Sequence, residues 1–156
     1  MGNEAKASAR ILTNSMLVAI VIATLSLFIA FKPELLLQNS LMAAQLVIAI
    51  PMLITSTLSY SKVGYRRRID IWDALGWMTF IIGYAFVMNV VGILASVYAS
   101  MAISLAFFVT GWILTAVYSY ASIYYEKVTI RERLTKDLMF ILIQLVLGVS
   151  VVLHII

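Results

Sequence analysis

The chain has 156 residues, 63% of them hydrophobic and 12% charged, with a formal net charge of +4. A mean hydropathy of +1.05 excludes an ordinary soluble domain, because eleven Lys and Arg with seven Asp and Glu cannot supply the charged surface that such a domain needs. The chain contains no cysteine and one histidine, His154, which excludes disulfides, thiolate metal centres and a zinc or bis-histidine haem site built by one chain.

The expected class is an all-α integral membrane protein, since lipid leaves every backbone polar group to be satisfied within the chain. A span needs about 20 apolar residues. The first runs over about 11–31, with no charge after Arg10. Lys6 and Arg10 ahead of an apolar stretch resemble a secretory leader, but the small-x-small cleavage pattern is missing near Ala30, so a retained helix is expected. Lys32, Pro33 and Glu34 interrupt the run, and Pro33 suits the first position of a further helix.

The second span covers about 41–60. It contains Pro51, which predicts a kink, with Thr55, Ser56 or Thr57 placed to satisfy freed backbone groups. A polar loop follows through Arg66, Arg67 and Arg68. Residues 74 to 125 then carry no charge at all. As a single helix those 52 residues would measure about 78 Å, more than twice the hydrocarbon thickness. The run must therefore turn, and Gly92 with the small residues after it predicts the turn over 92–98. The third and fourth spans become about 72–91 and 99–124.

Thr129-Ile130-Arg131-Glu132 fits a capping box, and Glu132/Lys136 and Arg133/Asp137 stand at the i,i+4 spacing that favours opposite charges. A helix is expected from about Ile130, continuing as a fifth span over about 138–155. With five spans, ten of the eleven basic residues fall on one side. The positive-inside bias makes that side cytoplasmic, with the N-terminus inside and the C-terminus outside. The whole chain reads as one five-helix transmembrane domain with no soluble domain.

No Asp, Glu, Lys, Arg or His falls in the middle of a span, which argues against proton relays, voltage sensing and ion-coupled pumping. Asp73, at the end of the third span, is expected to favour the helix N-terminus and to pair with one of Arg66 to Arg68. The large neutral polar residues Gln45, Asn89 and Gln144 suit interhelical hydrogen bonds or a polar path. On the fourth span Ser104, Phe108, Gly111, Thr115, Tyr118 and Ser122 share one face, and Ser104 and Thr115 complete the set of candidate path residues. Gly111-x-x-x-Thr115 and Thr79-x-x-x-Gly83 predict close helix approach. Trp112 stands out as an indole deep within a span.

Arg66, Arg67, Arg68, Arg131, Arg133 and Lys136 are expected to face anionic headgroups of the cytoplasmic leaflet, or a partner there. Met1-Gly2 is not read as an acylation start, because Lys6 stands where Ser or Thr is needed. Catalytic motifs, phosphate loops and metal-ligand spacings are absent from the sequence, so no enzyme and no cofactor is expected. The basic balance is assigned to topology rather than to nucleic acid. The expected function is a helix-packing subunit or scaffold of a membrane assembly, with lipid, a second copy or another membrane protein as partner. The alternative is an oligomeric channel or facilitator for a small neutral or cationic solute.

Overall fold

The computed structural model describes residues 3–63, 69–126 and 128–154. Among them the chain is all-helical: α1 Asn3–Phe31, α2 Pro33–Gln38, α3 Ser40–Val63, α4 Ile69–Tyr98, α5 Met101–Glu126, α6 Ile130–Gln144, a π-helical turn Leu145–Val149, and α7 Ser150–Val152. Five helices are long and apolar enough to cross a membrane, over Ala7–Phe31, Ser40–Val63, Asp70–Tyr98, Met101–Tyr125 and Ile130–Val152. Many large apolar side chains on them point outward, among them Leu12, Ile20 and Ile29 on α1 and Ile113, Leu114 and Val117 on α5. In water that surface would associate or aggregate; against acyl chains it needs no cover.

Helix boundaries follow local chemistry. Pro33 opens α2, where its missing N–H is no loss. Asn39 caps α3, its Oδ1 accepting the Met42 N–H at 3.0 Å, and Ser100 caps α5, its Oγ accepting the Ile103 N–H at 3.2 Å. Thr129 precedes α6 in extended backbone but makes no side-chain cap bond, so the expected capping box does not form. The expected turn over 92–98 is also displaced. Helix α4 continues through Gly92 to Tyr98, and the reversal occupies Ala99 and Ser100, whose N–H groups both bond to the Ala95 carbonyl.

The chain divides into two compact units, residues 1–87 and 88–156. In the first unit α1 packs against α3, and α2 touches both. Its interior is built in layers along α1, α3 and the first part of α4. One layer holds Ala7, Tyr60 and Val63, with Ile11 and Trp72 against them. Arg10 lies in the same region, 4.7 Å over the Tyr60 ring and 3.1 Å from Asp73. The next layer holds Asn14, Ser56 and Gly76. Beyond it Val21, Ala49 and Leu53 are buried, and Gly83 seats Leu53, whose Cγ would lie 2.9 Å from a Cβ there. Thr79-x-x-x-Gly83 is thus a place of close approach.

In the second unit α5 packs against α6. Phe108 from α5 is slotted between two glycines. A Cβ on Gly92 would come 2.3 Å from its Cζ, and one on Gly148 would come 2.9 Å from the same atom. Gly92 therefore serves packing within a helix rather than a turn, which is why the chain does not reverse there. Gly111, by contrast, has no neighbour within 4 Å of an added Cβ, and Thr115 bonds back to the Gly111 carbonyl at 2.8 Å. The expected close approach at Gly111-x-x-x-Thr115 is not made.

Candidate functional site

Each unit carries polar side chains within its long helices. In the first unit Asn14, fully buried, donates through Nδ2 to Ser56 Oγ at 2.9 Å, and Ser56 Oγ donates to the Gly76 carbonyl at 2.8 Å. This relay links α1, α3 and α4. Ser56 thus reaches across to a neighbour instead of serving the backbone freed by Pro51, and Thr57 bonds to the Leu53 carbonyl at 3.0 Å. Thr79 donates to the Leu75 carbonyl at 2.7 Å and lies 3.3 Å from that of Gly76. Gln45 belongs to this unit and is buried on α3.

One helical turn from Asn14, the Arg10–Asp73 pair joins α1 to α4. Asp73 pairs with Arg10, while its expected partners Arg66, Arg67 and Arg68 lie outside the described residues. Arg10 on α1 is brought beside Asp73 by packing along the helices, a tertiary contact 63 residues apart that charge order along the chain does not reveal.

In the second unit Trp112 Nε1 donates to Gln144 Oε1 at 2.7 Å, so the indole on α5 and the carboxamide on α6 are bonded to each other. Ser104 Oγ donates to the Gly92 carbonyl at 2.7 Å. Asn89 Nδ2 approaches the Ile143 carbonyl at 3.5 Å, and its carboxamide lies where a Cβ on Gly148 would stand, 2.5 Å from Oδ1. Gly148 falls within the π-helical turn, a feature that often marks a specialised place in a helix. Asn89, Ser104 and Gln144 are therefore drawn into one neighbourhood around Phe108 and Gly148. Thr115 is not, since its hydroxyl serves its own helix.

Toward the end of α5, Arg133 on α6 donates through Nε to Ser119 Oγ at 2.8 Å and lies 3.3 Å from Asp137, while Ser119 donates to the Asp137 carboxylate. The guanidinium also lies 4.5 Å over the Tyr118 ring. Lys136 pairs with Glu132 at 2.6 Å. Two of the residues expected to face lipid headgroups are thus engaged with acids of their own helix, while Arg131 is exposed. Ser119 is buried and was not singled out by the sequence, because it lies next to, and not on, the polar stripe that ends at Ser122. Asn14 was also missed. It sits between Thr13 and Ser15, whose hydroxyls bond only to their own helix, so its context in sequence resembles a polar helix end.

Chemically, these groups can hold helices together. Among the described residues no three or more of His, Cys, Asp and Glu are placed to bind a metal ion. The Arg133–Asp137 charges offset each other, so the cluster offers a fixed polar link between α5 and α6 rather than an anion cradle. No family model, no curated protein and no solved structure matches this chain.

Proposed function

We propose that the protein is a membrane component that works through helix packing, as a small subunit or scaffold of a membrane assembly. The observation that carries this reading is the Trp112–Gln144 bond at 2.7 Å. A tryptophan and a glutamine within spans are the kind of residues a polar path would display. Here they are joined to each other, the pattern of interhelical links in lipid. The Asn14–Ser56–Gly76 relay and the Phe108 slot between two glycines support the same reading.

The orientation belongs to the proposal too. With the basic residues gathered cytoplasmically, the N-terminus is inside and the C-terminus outside, and Arg131 with Arg66, Arg67 and Arg68 faces anionic headgroups. A partner is then met through the lipid-facing sides of the helices. Extraction of the tagged chain from its own membranes in mild detergent tests this. Co-migration with a second copy or another membrane protein is expected; a lone monomer after membrane cross-linking contradicts it. Solute flux through liposomes holding only this chain, abolished by Ser104→Leu, would favour the facilitator reading instead.

A further inference from the structure

Asn14 is completely buried in the α1–α3–α4 junction, and its Oδ1 has no hydrogen-bond partner. Its Nδ2 donates to Ser56 Oγ at 2.9 Å while Ser56 Oγ donates to the Gly76 carbonyl at 2.8 Å, so Oδ1 is the end of the carboxamide that faces away from the serine. A buried carbonyl oxygen left without a donor costs about 1–3 kcal/mol, which calls for a donor.

The serine and threonine hydroxyls nearby are already committed: Ser56 and Thr79 give their protons to the Gly76 and Leu75 carbonyls, and Thr13 and Ser15 give theirs to their own helix. Tyr60, whose ring lies against Gly76, interacts with Arg10, and no bond from it reaches Asn14 Oδ1. Arg10, four residues earlier on the same face, sends Nη1 to Asp73. Its guanidinium carries five donors in all, enough to hold a small polar molecule as well.

We infer that Asn14 Oδ1 is the acceptor of a buried water site in this junction, one helical turn further into α1 than the Arg10–Asp73 pair. The water donates to Asn14 and accepts from the Arg10 guanidinium, giving it the two or more polar partners that a buried water needs. The site would join the ion-pair layer to the Asn14–Ser56–Gly76 relay.

The full chain, labelled with ¹⁵N asparagine and held in micelles, provides the test. Only four asparagines are present, at positions 3, 14, 39 and 89, so the Asn14 side-chain NH₂ pair is separable. It is assigned by its loss in Asn14→Leu or, should that variant not fold, by through-bond correlation to its own backbone amide. The expected result is a cross-peak between this pair and the water frequency with the sign of a long-lived water, unchanged when sodium chloride is replaced by choline chloride. No such cross-peak overturns the inference. So does a sodium-dependent shift of the pair, which would place a cation at the oxygen.

Discussion

Alanine at Gly92 and at Gly111 should act in opposite directions, although both glycines lie within long helices. Each replacement gains about 0.5–1 kcal/mol by restricting the unfolded backbone and removing glycine from a helix interior. At Gly111 nothing opposes that gain, because an added Cβ meets open space. At Gly92 the new carbon would stand 2.3 and 2.5 Å from two ring carbons of Phe108, where ordinary contact is about 3.5–4.0 Å. The ring must move by about 1 Å, yet Gly148 and its neighbours block the far side, with Phe108 fully buried. Overpacking of this kind costs about 1–3 kcal/mol. Gly92→Ala should therefore be destabilised by up to about 2 kcal/mol, and Gly111→Ala stabilised by about 0.5–1 kcal/mol. Unfolding by increasing mole fraction of SDS in mixed micelles measures both, and Phe108→Leu should recover part of the Gly92→Ala loss. Equal effects at the two glycines would refute the slot.

The remaining expectations concern polar contacts. Trp112→Phe and Gln144→Leu should each destabilise, and a double-mutant cycle should yield a coupling of about 0.6–1.7 kcal/mol, read from the same unfolding curves; zero coupling would mean the bond contributes nothing. Asp137→Asn should cost more than Asp73→Asn, because the Arg133–Asp137 side chains are 17% and 15% exposed while those of Arg10 and Asp73 are 43% and 44%. The exposed pair should contribute under about 1 kcal/mol, and its share should fall further in high salt, whereas the partly buried pair should hold. A larger loss at Asp73 would reverse this order.

The apolar runs, the breaks at Lys32-Pro33 and the start of α6 at Ile130 were legible because they depend on composition and local backbone chemistry. So were Glu132–Lys136 and Arg133–Asp137, which neighbour each other on any helix. What escaped was tertiary. Asn14 finds Ser56 42 residues away, and Arg133 finds Ser119 across a helix pair; neither spacing is visible in a helical period. Gly92 read as a turn because glycine breaks helices in water. Among packed spans the same lack of a Cβ admits Phe108, and the chain reverses instead at Ala99-Ser100, where Ser100 can cap α5. The π-helical turn has no composition of its own; it shows in the backbone, where the Ser150 N–H bonds to the Leu145 carbonyl five residues back, and it sets Gly148 against Asn89.

The claim on which the account rests is that the chain crosses the membrane five times. Because it has no cysteine, single cysteines can be placed at exposed helix ends and probed in sealed cells with an impermeant maleimide. Gln38→Cys and Ala99→Cys should react from outside, while Lys62→Cys and Thr129→Cys should react only after permeabilisation. Labelling of Ala99→Cys together with Thr129→Cys from one side, or of Lys62→Cys and Thr129→Cys from opposite sides, would contradict five crossings.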